Sequence, residues 1–407
     1  MSFTNILKSA VIAAVSLQLF SGISLAESPK YTVDSSNYMQ HADKLTEGQI
    51  KAFESYSDYR IDVYESSAEC KLTDAVRAAS TNNATMINSN EGLEGYTVGA
   101  KPFPNPTEAQ HYIWNHRTAP HYNGSLHRTL TAYIVKSDGS FTVGQGDNYI
   151  EAPNALNSPL RGNVDPNLYV LYMVKNMSPA RIAGTLTMLH DFYDAAVQPR
   201  KAWQYSPATR RVRRAPDVNY DSFVDQTGGL ATIDSYNMFS GAQDRFDWNL
   251  VGLKTMLIPH ENTKISEVGA ADVITSSRYF IDPSLYRYEE REVAVVEATL
   301  KEGSRHIFPK QMMYVSTDEH NGIMIRDHYD GQGNLAKHQI GSRAYNPRSG
   351  NCQYNGEQTI DFATRSFVIQ NTIGPGHDTL VDTYDDINMG MNFYSPDGLR
   401  RFARLEN

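Results

Sequence analysis

Residues 203–216 read WQYSPATRRVRRAP, from Trp203 to Pro216. Ser206-Pro207-Ala208-Thr209 carries turn chemistry, and Lys201 to Tyr205 and Arg210 to Arg214 flank it as the two arms of a hairpin. Side chains alternate along a strand with a period of two. In an extended arm, Arg211 and Arg213 therefore point to one side, while Arg210 and Arg214 flank Val212 on the other. A guanidinium stays charged and is costly to bury without a partner. At least one of these rows must meet solvent, an acidic partner or an anionic ligand.

The same grammar repeats outward from this hairpin. Arg128 to Val135 and Phe141 to Val143 flank Ser137-Asp138-Gly139-Ser140. Leu168 to Asn176 and Ile182 to His190 flank Met177-Ser178-Pro179-Ala180. Glu292 to Leu300 and His306 to Val315 flank Lys301-Glu302-Gly303-Ser304, and Ile323 to Tyr329 and Asn334 to Ile340 flank Asp330-Gly331-Gln332-Gly333. Such a succession predicts an antiparallel meander, with no βαβ alternation. Phe246, Trp248 and Leu250 alternate with Arg245, Asp247 and Asn249, as in a sheet with one wet face. Val293-Ala294-Val295-Val296 is apolar on both faces and belongs under a cover. The expected fold is mainly β: a large curved antiparallel sheet with helices packed into its mouth. A β-sandwich with an α appendage fits the same pattern.

Residues 27–125 read as a mixed, partly helical segment, and residues 126–407 as mostly β. Leu45 to Tyr56 and Ala68 to Ala79 have helical apolar spacing. Asn105-Pro106-Thr107-Glu108 opens a helix carrying Ile113 and Trp114. Ser395-Pro396-Asp397 opens a short basic C-terminal helix. Residues 1–26 have the form of a cleavable signal, with Lys8, an apolar run from Ala10 to Phe20 and small residues at Ser24 and Ala26. The expected compartment is the periplasm of a Gram-negative bacterium, with no transmembrane segment in the mature chain. The whole chain has 37 basic and 46 acidic residues. Removing Lys8 with the signal leaves 36 − 46 = −10, which argues against nucleic acid as a partner. Cys70 and Cys352 suit one disulfide in an oxidising compartment or two separate buried thiols.

His111, His116, His121 and His127 match neither one helical face nor the close-paired ligands of a structural zinc site, and read as surface or capping residues. Asp327, Asp330 and Asn334 read as hairpin-turn residues, and Asp385-Asp386 as a solvated pair. Gly144-Gln145-Gly146 lacks a third glycine and a following helix signal, and reads as turn chemistry. No G-x-S-x-G, H-E-x-x-H or Walker motif is present. The reading carries no catalytic residue, metal or cofactor. The 25 tyrosines and 13 methionines fill cores and also suit apolar pockets. The chosen cavity residues are Trp203, Tyr205, Phe246, Trp248, Met312 and Tyr314. Arg210, Arg211, Arg213 and Arg214 are the candidates for contact with a headgroup or a partner.

WQYSPATRRVRRAP, FSGAQDRFDWNLVG, LIPHEN, YRYEEREVAVVEATLKEGSRHIF and HYDGQGNL together resemble the bacterial domain-of-unknown-function family 1329. GAKPFPNPTEAQHYIWNH resembles its N-terminal signature and FYSPDGLRRFARLEN its C-terminal segment. The sequence departs from the family at Ala294, where an aromatic residue is common, and at Pro120 to Tyr122, where an Arg-Tyr pair is common. The resemblance implies a half-open barrel with a helical lid, like the lipoprotein carriers LolA and LolB. It implies traffic of a lipid or other hydrophobic small molecule with an RND-type exporter and an outer-membrane protein. An adaptor without cargo and an enzyme acting on an envelope lipid are the alternatives.

Overall fold

A computed structural model describes residues 28–68, 70–81, 84–119, 124–215, 218–224, 227–266, 279–346, 351–372 and 390–405. The signal segment, Pro120 to Tyr122 with His121, and Asp385-Asp386 lie outside them.

The chain opens with β1 (Tyr31–Val33), α1 (Glu47–Ser55), β2 (Ile61–Val63) and α2 (Asp74–Thr81). A small hairpin, β3 (Met86–Ile87) with β4 (Leu93–Glu94), and α3 (Ala109–Thr118) follow. The first meander is β5 (Ser125–Val135), β6 (Phe141–Glu151), β7 (Leu168–Ser178), β8 (Leu186–Phe192), β9 (Lys201–Ser206) and β10 (Arg211–Arg214). After an irregular stretch come β11 (Phe246–Pro259), β12 (Tyr288–Leu300), β13 (Lys310–Ser316), β14 (Ile323–Tyr329), β15 (Leu335–Asn346), β16 (Asn351–Asp361) and β17 (Ser366–Thr372). α4 (Pro396–Leu405) ends the fold.

All the strands but β3 and β4 form one 15-stranded sheet. Each meander pairs neighbour to neighbour, as the hairpin signals predict. The two meanders join where β17 pairs antiparallel with β5, Phe367 opposite Val135. The spatial order therefore runs β11 to β17 and then β5 to β10, and among the described residues the sheet does not close. β1 and β2, which precede residue 125, join the same sheet through a parallel bridge between Val63 and Tyr288.

The helices have separate seats. A capping box between Thr46 and Gln49 starts α1. α1 lies on β15, and a Cβ on Gly48 would stand 2.0 Å from His338 Nδ1, so only glycine allows that approach. Phe53 and Ala52 join a core with Val135, Ile340, Ile360 and Phe367 on the outer face of the sheet. α4 covers the outer face of β8–β10, where Leu399 and Ala403 meet Met173, Met188 and Tyr205. α3 covers the inner face of β11 and β12, with Ile113 against Ala294, Val296 and Val315. α2 begins at Asp74, later than the apolar spacing from Ala68 suggests. Cys70 and Cys352 form a disulfide, Cα to Cα 5.9 Å, tying the loop after β2 to β16.

Candidate functional site

Gly144 and Gly146 lie in mid-strand on β6, so the turn reading of that segment is corrected. They belong to the floor of a cavity of about 290 Å³ between the inner face of β5–β9 and an irregular cover, residues 218–240. Strand parity sets the floor. Asn148, Val174, Thr187 and Gln204 stand opposite one another across β6, β7, β8 and β9. Ile150, Tyr172 and Leu189 form the next row. This face mixes glycine and small or polar side chains (Gly144, Gly146, Asn148, Thr187, Gln204) with Ile150, Tyr172 and Leu189, whereas the alternate positions carry Tyr149, Met173 and Met188 and close on α4. The cover contributes Phe223, Val224, Ile233, Tyr236 and Phe239.

The cavity has a charged end and an uncharged end. Asp191, at the end of β8, stands opposite Val170 at the start of β7. Arg200 donates to it from Nε and Nη2, both at 2.6 Å, and stacks over Tyr220 at 3.9 Å. Arg117, in the last turn of α3, lines the same end. At the other end the lining is Leu130, Ala132, Gly144, Gly146 and Asn176.

The cover is pinned over the other half of the inner face. Buried Arg326 donates to Asp234 at 2.7 Å and to the Met238 carbonyl at 2.7 Å. His306 Nε2 lies 3.3 Å from the same carboxylate. Burial alone would raise the Asp234 pKa, but the charges of Arg326 and His306 hold it well below the usual carboxylate range. Met238 N donates to Glu357 at 3.2 Å, and Gln339 Nε2 donates to the Ser235 carbonyl at 2.8 Å. His116 accepts at Nδ1 from Ile323 N, which leaves Nε2 to donate to the Phe239 carbonyl. Burial first, and then the Arg343 charge, lower its pKa to about 3. His116 is thus a buried structural histidine, not a surface or capping one. His111 stacks on Phe103 and His127 on Tyr149. Asp330 caps its turn by accepting from Asn334 N at 2.9 Å, whereas Asp327 is buried against His338 at 2.5 Å and is no turn residue.

A protein-family comparison places residues 32–400 in the family described as "Protein of unknown function (DUF1329)". The chain belongs to that family. It is 34% identical over 319 residues to "Uncharacterized protein PA3922" of Pseudomonas aeruginosa, covering 76% of this chain and 68% of that one. Similar solved structures include a putative outer membrane lipoprotein-sorting protein domain from Vibrio parahaemolyticus (12% identity, TM-score 0.46, covering 69% of this chain and 93% of that one). A DUF1329 family protein from Desulfovibrio piger has 15% identity and TM-score 0.46, covering 68% and 91% of the two chains. A LolA superfamily protein from Nitrosomonas europaea has 11% identity and TM-score 0.41, covering 65% and 91%.

None of the six residues chosen from the sequence as cavity lining in this DUF1329 chain is among those that line the cavity. Tyr205 and Trp203 face α4 on the outer side. Phe246 and Trp248 meet each other and Phe239 under α3, and Met312 and Tyr314 join an outer cluster with Val293 and Val295. On β9 the two aromatic side chains pack into solid core, and Gln204, between Trp203 and Tyr205, is the one that faces the hollow. Ala294 is buried beneath α3 and does not border the cavity. Arg211, Arg213 and Arg214 are exposed on edge strand β10, and Arg210 occupies a left-handed turn position at φ 52°. Arg213 stands opposite Gln204 and Arg211 opposite Ser206, so this row shares the cavity face; Arg214 stands opposite Trp203 on the α4 side. Arg117, Asp191 and Arg200 carry no local motif. The alternation of glycine with polar residues from Gly144 to Asn148 was the available signal for the floor.

Proposed function

We propose that this DUF1329 protein is a periplasmic carrier that holds a lipid or lipid-like molecule between β5–β9 and the 218–240 cover. The cavity carries the reading: about 290 Å³, walled by Leu130, Ile150, Val174, Leu189, Val224 and Ile233 at one side and charged at one end. Ligand sites usually hold about 300–1,000 Å³, so this volume suits one acyl chain better than several. Each methylene taken from water contributes about 0.8 kcal/mol, so about ten supply roughly 8 kcal/mol before association costs. The signal-like N-terminus and the Cys70–Cys352 disulfide support an oxidising, extracytoplasmic site. No described helix is long and apolar enough to cross a membrane. The test is uptake of a fluorescent fatty acid by delipidated protein. Saturable binding is expected, and no uptake of any fatty acid or phospholipid probe would refute the carrier.

The exposed arginines on β10 favour a second role beside the first, docking to an acidic partner surface. An RND-type exporter and an outer-membrane protein are the partner classes we assign to it, on family resemblance. Charge reversal at Arg211 and Arg213 should abolish co-purification with such partners while leaving fatty-acid uptake unchanged. An adaptor without cargo would instead lose its partners and bind no probe in either form.

A further inference from the structure

Arg117 is 4% exposed, and its guanidinium lies over Trp114 at 4.4 Å and Tyr169 at 4.7 Å. Its Nε and Nη2 have no hydrogen-bond partner among the described residues. Three other arginines with buried side chains face a carboxylate, Arg200 with Asp191 at 2.6 Å, Arg326 with Asp234 at 2.7 Å and Arg343 with Asp318 at 3.5 Å, and buried Arg128 donates to the Tyr236 hydroxyl at 2.8 Å. No described carboxylate pairs with Arg117. A buried, uncompensated charge is among the costliest features a fold can keep. Stacking on two rings stabilises the faces of the guanidinium plane, but it leaves the N–H edge unsatisfied.

Arg117 is a lining residue of the cavity. The charged residues lining it are Arg117, Arg200 and Asp191, two positive against one negative. Arg200 spends Nε and Nη2 on Asp191, and its buried Nη1 has no partner among the described residues. Arg117 stacks on Tyr169, the neighbour of Val170, and Val170 stands opposite Asp191, which Arg200 holds, so the two guanidinium groups share one end of the cavity. The charged end thus offers guanidinium donors and one net positive charge, and the rest of the lining carries no charged side chain.

Building on the carrier reading, we propose that Arg117, with Nη1 of Arg200, binds the anionic head of a single-chain amphiphile. The head is a carboxylate or a phosphate monoester, recognised by the planar fork of donors. The chain extends over Tyr172 and Val174 toward Gly144 and Gly146. The head lies at the charged end, and the ligand supplies a negative charge that the described residues around Arg117 do not.

The test compares dodecanoate, dodecyl phosphate and methyl dodecanoate on the delipidated mature protein by calorimetry. The wild type should bind at least one of the two anions about tenfold or more tighter than the ester. The anion that gains more identifies the head, carboxylate or phosphate. Arg117→Met should bring that anion to the ester's level and leave the ester within about twofold. Arg117→Lys, which keeps the charge but not the fork, should fall between them. Equal affinity of all three for the wild type would overturn the head assignment and leave the carrier standing. Binding of none of them would overturn both. A preference that survives Arg117→Met would also overturn the assignment. The wild-type comparison stands even if that variant fails to fold.

Discussion

One cover crosses two halves of the inner face, and the halves treat it differently. Over β13–β17 it is held by long polar side chains rising from the sheet: Arg326 on Asp234 and Met238, Gln339 on Ser235, Glu357 under Met238, and Lys337 donating to the Leu230 carbonyl at 2.7 Å. Over β5–β9 the sheet presents Gly144, Gly146, Thr187 and Val174, and a cavity remains. There Arg128 reaches across, donating to the Tyr236 hydroxyl at 2.8 Å. The contrast teaches that the hollow is not slack packing. A buried polar network fixes the cover at one side, so the other side can stay empty without collapse.

The largest effect should come from breaking the pinned half. Arg326→Met leaves the Asp234 carboxylate buried without its guanidinium partner, and should cost about 3–5 kcal/mol of stability in urea titration. A cost under about 1 kcal/mol would show that the network does not hold the cover. Cys352 lies on β16 in the same half, and Cys70→Ser with Cys352→Ser should cost about 2–5 kcal/mol by the same measurement. Acid should act next. His116 is lowered to about 3, while in the unfolded chain it titrates near 6.5. Between those values the unfolded chain binds the proton and the folded chain does not. The stability is therefore fully present above about pH 6.5 and is lost as pH falls toward 3. Lowering pH from 7 to 5 should remove about 2 kcal/mol through this residue alone, and His116→Gln should flatten that part of the profile. Buried His190 and His320, each lowered to about 4, act in the same direction.

The smallest effect separates the halves most sharply. Val315→Phe, in the solid core under α3, should cost about 1–3 kcal/mol. Val174→Phe, which points into the hollow, should cost less than about 1 kcal/mol yet abolish fatty-acid uptake. Equal costs at the two sites would mean that the hollow is already filled by the fold itself.

Much of the sheet was legible because hairpins are local. The turns at Ser137–Ser140, Ser206–Thr209 and Asp330–Gly333 each carry their own chemistry and set their own register. The union of β17 with β5 was not legible, because no local signal links Phe367 to Val135. The helices were found, but not their seats: α1 and α4 lie outside the sheet, and the cavity's cover is the irregular segment 218–240. The site was read on the wrong parity. Aromatic residues drew attention to Trp203 and Tyr205, while the cavity took Gln204 and its small cross-strand neighbours. Arg117 was invisible because its meaning lies in a missing partner, which only the folded chain reveals.

The most direct measurement is mass spectrometry of organic extracts from natively purified protein, wild type beside Val174→Phe. The account predicts a chain-bearing amphiphile at about one per wild-type molecule and little or none in the filled variant. An empty wild-type protein, or equal amounts in both, would contradict it.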